Sequence, residues 1–205
     1  MSHHTSGMNV PPNLPTVDSV VHLAVESGCG GTTFALQQAR MVLEADGRVV
    51  WVCFQQPDPG RFSQLFESVP PAALARFHLL VAGELMPQSI DSARDLADSM
   101  NSIQLIVVDD WTPRTGHVSP MTLASVEALA GSNFANRGGI LLVSAAYSDA
   151  SGDQDSDLKA RGERRLGEFG FTTWWLQADD VGVGHRSLTV GDEKISVRLE
   201  SNGFV

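Results

Sequence analysis

Short apolar runs alternate with amphipathic stretches along most of the chain. Val20 to Val25 is a run of β type, and Phe34 to Leu43 carries apolar residues at helical spacing. Val49 to Phe54 is almost continuously apolar, the pattern of a strand buried on both faces in a parallel sheet. Arg61 to Glu67 reads as a short helix punctuated by Pro70 and Pro71, Phe77 to Val81 as a third strand, and Ser89 to Met100 as a helix. Leu105 to Val108 is a fourth strand ending in Asp109-Asp110, Pro120 to Asn136 a helix, and Ile140 to Val143 a fifth strand.

The pattern then changes. Asp149 to Gly167 is rich in glycine and charge and reads as a long loop. Phe171 to Gln177, Ser187 to Val190 and Ile195 to Leu199 read as strands, with Gly191-Asp192 as a hairpin turn between the last two. Strand–helix alternation followed by hairpins predicts an α/β fold: a mainly parallel sheet flanked by helices, with antiparallel strands at its C-terminal end. Residues 1–17, polar and bearing Pro11, Pro12 and Pro15, are expected to form a flexible arm, and residues 18–205 one domain.

Composition narrows the functional classes. The net charge of -10 argues against a broad non-specific nucleic-acid surface, because phosphate binding depends on Lys and Arg. No stretch approaches a membrane span, and no basic region followed by an apolar run opens the chain, so a cytoplasmic protein without a membrane partner is expected. Cys29 and Cys53 fit no metal-ligand spacing.

The chemistry concentrates in Glu26-Ser27-Gly28-Cys29-Gly30-Gly31-Thr32-Thr33, between the first strand and the first helix. That is the context of a phosphate-binding loop, G-x-x-x-x-G-K-[ST], whose amides cradle phosphates while its lysine reaches their outer oxygens. Here Gly31 stands at the lysine position, and the motif's first glycine is missing. Gly28, Cys29, Gly30, Gly31, Thr32 and Thr33 are the candidate nucleotide-binding residues. Thr32 and Asp109, with Asp110 next, are the candidate magnesium ligands, since a carboxylate ending a parallel strand lies where such sheets bind ligands. Gln55, after the second strand, is placed to orient water but accepts a proton less readily than a glutamate would. Weak or vestigial ATP and Mg²⁺ binding is therefore expected ahead of efficient hydrolysis. Lys159, Arg161, Arg164 and Arg165 form the densest basic run, though Asp153, Asp155, Asp157 and Glu163 surround it. With Arg186 they are the candidate contacts for DNA or a partner. His22 and His78 lie in apolar strands and read as structural, and one ring of Trp174-Trp175 is expected in the core.

The order of these segments resembles the archaeal RadB proteins, short recombinase paralogues of the RecA/RadA superfamily. Ser27 to Gln37 is similar to the family's S/T-G-x-G-K-T-T-x-A-L-Q, with Gly31 in place of lysine. Trp51 to Phe62 resembles the stretch after strand two, with Gln55-Gln56 in place of Glu-Gly. Val107 to Asp110 resembles the Walker B segment. Ala146-Tyr147-Ser148-Asp149 resembles V-Y-S-D, with Ser144-Ala145 in place of Asn-Gln. His185-Arg186-Ser187-Leu188 resembles H-R-S-L, and Gly203-Phe204 the usual ending. The resemblance implies a RecA-like P-loop core. It also implies an accessory role in homologous recombination and DNA repair, with a RadA-type recombinase and single-stranded DNA as partners. The departures at Gly31, Gln55, Ser144 and Ala145 imply a pseudo-ATPase that keeps the fold. Two alternatives stay open: an active DNA-dependent ATPase of the same fold, and a non-enzymatic scaffold or KaiC-like regulatory subunit.

Overall fold

The computed structural model describes residues 14–113, 116–147 and 158–205. Its centre is one nine-stranded sheet of order β3-β2-β4-β5-β1-β6-β7-β8-β9. The strands are β1 (Val20–Val25), β2 (Arg48–Cys53), β3 (Phe77–Val81), β4 (Ile103–Asp109), β5 (Gly139–Ala145), β6 (Thr172–Ala178), β7 (His185–Val190), β8 (Glu193–Glu200) and β9 (Gly203–Phe204). β1 to β6 run parallel, and β7, β8 and β9 follow as antiparallel neighbours. The helices are α1 (Gly31–Glu44), α2 (Pro59–Phe66), α3 (Pro71–Leu74), α4 (Met86–Ser99), α5 (Pro120–Ala130) and α6 (Glu163–Glu168). The α/β architecture with antiparallel C-terminal strands is the one the sequence predicts.

The side-chain period of two divides the parallel strands between two cores. Val21, Leu23, Leu105, Val107 and Leu141 face α1, where Phe34, Leu36 and Leu43 are fully buried. Ile106, Val108, Ile140 and Leu142 face α4 and α5, where Ile90, Val126 and Phe134 complete the second layer. Most positions on both faces of β1, β4 and β5 are buried, so these strands read as largely apolar runs.

Several boundaries differ from the sequence reading for local reasons. α2 begins at Pro59, because the Asp58 carboxylate caps it by accepting from Arg61 N at 2.7 Å. α4 begins at Met86, with proline in its first turn. The helix expected over Pro120 to Asn136 stops at Ala130, where Gly131 caps it, and a separate 3-10 turn covers Phe134–Asn136. Residues 149–157 of the expected loop lie outside the described residues, but Glu163 to Glu168 is helix α6, held by buried Leu166. Of the expected arm, residues 1–13 lie outside the described residues. Residues 14–17 pack against the domain: Leu14 and Val17 are buried, and Gln38 accepts from Val17 N at 3.1 Å and donates to Pro15 O at 2.9 Å. No helix among the described residues is long and apolar enough to cross a membrane.

Candidate functional site

The turn between β1 and α1 is built as an anion cradle. Gly28 and Gly30 take left-handed φ values of 78° and 92°, which lets the backbone fold back so that Cys29 N donates to Glu26 O at 3.0 Å and α1 starts at Gly31. Gly30 also faces Leu199 and Phe204 closely: a Cβ there would lie 3.0 Å from Leu199 Cδ2. The C-terminal strands therefore cover the loop from one side.

The lysine position is closed. A Cβ on Gly31 would lie 2.6 Å from Val25 Cγ2 and 3.0 Å from Val143 Cγ1, nearer than carbon atoms approach. Val25 occupies the position of the motif's missing first glycine, and valine cannot withdraw its branches without leaving its preferred rotamer. The two departures from the phosphate-loop pattern are therefore one steric arrangement. Sequence reasoning saw both absences but not their contact, which forms only when the end of β1 meets the start of α1.

Around this turn lies a cleft of about 730 Å³, lined by the loop, Gln55, Asp109, Asp110 and Ser144. Asp109 ends β4 beneath the start of α1 and is buried. Burial pushes its carboxyl up to about 6, against the opposing hydrogen bond from the Thr32 side chain. Thr32 and Asp109, the two candidate magnesium ligands, are thus brought together. Asp110 is exposed beside them in the left-handed region, with φ 55°. Gln55 and Gln56 are exposed at the cleft mouth. Ser144 turns inward instead: its Oγ lies 2.7 Å from Nε2 of fully buried His22, whose pKa burial lowers to about 4. His22 is therefore neutral at ordinary pH. Ala145 is exposed at the end of β5.

Arg61 is the cation the sequence did not identify. It lines the cleft from α2, with Nε donating to Thr33 Oγ1 at 3.1 Å and Nη2 to Glu200 O at 3.0 Å. Nη1 also donates to Ser201 O and to Gln64 Oε1. Its donors are spent on tying α1 and α2 to the β8–β9 turn. The remaining charged groups lining the cleft are Glu26, Asp58, Asp109 and Asp110, all carboxylates. The amide cradle and the Thr32–Asp109 pair fit a small anion and a cation. Among the described residues lining the cleft, Arg61 is the one arginine or lysine, and Val25 and Val143 occupy the space a side chain at position 31 would enter.

The candidate basic residues lie on the segment from Lys159 through α6 and on β7. Lys159 pairs with Tyr147 through backbone hydrogen bonds of 2.8 and 3.0 Å. Arg161 donates to Gly116 O at 2.8 Å and lies 4.9 Å from the Tyr147 ring centre. Arg165 pairs with Glu168 at 2.9 Å and covers the Phe169 ring, while Arg164 is exposed beside it on α6. Arg186 is on β7, its Nη1 donating to His185 O at 2.7 Å and its Nε buried with no partner among the described residues. Trp174 is buried edge-on to Phe34, and Trp175 is half-buried on the other face of β6. His78 is half-buried on edge strand β3, with Nε2 3.5 Å from Arg48 Nη1.

No family model matches the chain, and no curated protein matches it by sequence. Solved structures do match. A RadB recombinase is 20% identical with a TM-score of 0.69, the match covering 92% of this chain and 90% of that one. A DnaB-like replicative helicase is 12% identical with a TM-score of 0.63, covering 93% of this chain and 59% of that one. At these identities the likeness is one of fold, and the chain has the RecA-like fold, with a phosphate loop whose lysine position is closed.

Proposed function

We propose that this chain is an accessory protein of DNA recombination and repair that engages a RadA-type recombinase, DNA or both, and hydrolyses ATP weakly or not at all. The fold likeness to a RadB recombinase over nearly the full length of both chains supports the setting. The observation that carries the loss of catalysis is the Val25–Gly31 contact. Phosphate transfer needs charge stabilisation at the outer phosphate, and each missing preorganised donor of that kind costs orders of magnitude in rate. Gln55 in place of a base compounds the loss.

The test is a paired measurement on the purified chain. Interferometry with an immobilised RadA-type recombinase and with oligo(dT) should show association with at least one. Phosphate release should stay at the level of the Asp109→Ala variant. Absence of both associations would remove the accessory role. Phosphate release well above the Asp109→Ala level would restore the active-ATPase reading.

A further inference from the structure

A second cleft, of about 960 Å³, opens beside the first at the same C-terminal edge of the parallel strands. It lies between the starts of α4 and α5, and the two clefts share Gln55 and Asp110, so they adjoin. Together they form one groove across the edge where open α/β sheets bind ligands.

Among the described residues, the charge along this groove is mainly negative. Its described lining holds the carboxylates of Glu26, Asp58, Glu84, Asp109 and Asp110, against the single guanidinium of Arg61, which is spent on carbonyls. Glu26 and Asp58 are partly committed, to Ala178 N and Arg61 N. Glu84 and Asp110 make no side-chain hydrogen bond or ion pair among the described residues. The second cleft is also apolar in a way a solvated acidic edge is not. Phe54 is 37% exposed and Met121 64% exposed on its walls, and Leu85, 60% exposed, lies between lining residues Glu84 and Met86. Phe54 and Met121, exposed in the lining beside the carboxylates of Glu84 and Asp110, have the make-up of an interface rather than of ordinary surface.

We propose that this groove docks a basic segment of a partner protein, one presenting arginine or lysine side chains to Glu84 and Asp110 and apolar side chains to Phe54 and Met121. Nucleic acid is the wrong occupant, because its phosphates would meet five carboxylates. Charge complementarity would orient the segment, and the apolar rim would supply the desolvated anchor. The proposal goes beyond the recombination reading and does not depend on which protein supplies the segment.

The probe is a short synthetic peptide with arginines and leucines in a serine–glycine background, its counterpart with glutamates for the arginines, and oligo(dT). Binding to the full chain is followed by calorimetry. The arginine peptide should bind and the glutamate peptide should not. The pair Glu84→Gln and Asp110→Asn should weaken binding about tenfold or more, and so should Phe54→Ser. All three are exposed changes, and an unchanged melting transition verifies folding. The charge-matched control, Asp192→Asn with Glu193→Gln, lies in the β7–β8 turn at the opposite edge of the sheet and should leave binding unchanged. The proposal is overturned if the arginine peptide fails to bind, if the control weakens it equally, or if oligo(dT) binding is lost with the groove variants. Loss of recombinase association with peptide binding intact would remove the recombinase and keep the groove.

Discussion

Val25 and Gly31 form an interlock: the valine side chain fills the space that any side chain on residue 31 would enter, 2.6 Å from the place of its Cβ. Gly31 is the first residue of α1 and has no left-handed φ, so backbone conformation would not oppose a substitution there. The contact alone would. Gly31→Ala should destabilise the chain by about 1–3 kcal/mol through overpacking. Val25→Ala in the same chain should recover most of that. A double-mutant cycle by urea denaturation measures the coupling, and a coupling near zero would show that the two positions are independent.

Asp109 and His22 give stability opposite dependences on pH. The folded Asp109 carboxyl titrates at about 6 against an ordinary 3.8, so the folded state holds the extra proton between those values. Stability contributed there is present below pH 4 and is lost as pH rises to 6. Folded His22 titrates at about 4 against an ordinary 6.5, so the unfolded state holds the extra proton. Its contribution is full above pH 6.5 and is lost as pH falls to 4. Each is bounded at about 3 kcal/mol. Asp109→Asn should therefore steepen the loss of stability on acidification between pH 6 and 4. His22→Asn should flatten it. Urea midpoints across that window read the slopes, and identical slopes for parent and Asp109→Asn would refute the assignment.

One side chain of α1 ties down the backbone of the C-terminal strand on the side away from β8. Gln37 Oε1 accepts from Phe204 N at 2.7 Å, and its Nε2 donates to Phe204 O at 3.1 Å, both bonds buried. Gln37→Leu leaves both backbone groups unpaired and should cost about 2 kcal/mol. Hydrogen exchange at Phe204 and Val205 should accelerate well before global unfolding. Unchanged exchange there would mean that β8 alone holds the strand.

Arg61 holds the same segment from outside. Arg61→Ala removes donors to Thr33, Glu200 and Ser201 and should loosen the β8–β9 turn. Its bonds lie near solvent, so a cost of about 1 kcal/mol is expected, below that of Gln37→Leu. Equal or larger destabilisation by Arg61→Ala would show that the guanidinium carries the closure.

The strands were the most readable part of the sequence, because a run buried on both faces needs no partner to reveal it. β1 and β3 fall on the predicted residues, and β4 ends on the predicted Asp109. α6 was hidden because its buried face is little more than Leu166 in a charged, glycine-bearing stretch. β9 is two residues long, and its anchor, Gln37, lies in α1. At the site, the loop and its missing groups were legible as spacing. What fills the missing space was not: Val25, Gly31 and Val143 come from three elements, and Ser144 turns toward His22 across 122 residues of sequence. The basic run was legible as charge density, but the local bonds of Arg161 to Gly116 O and of Arg165 to Glu168 form only in the fold.

We propose that the Val25–Gly31 contact leaves nucleotide binding weak or absent. Mg·ATP titration of three chains by calorimetry tests it: the parent, Gly31→Lys, and Gly31→Lys with Val25→Gly. The parent and the single variant should bind weakly and alike, because the lysine has no room. The double variant should gain about tenfold or more in affinity, as a lysine admitted to the phosphate cradle would supply. Tight Mg·ATP binding by the parent, or an equal gain from Gly31→Lys alone, would contradict the account.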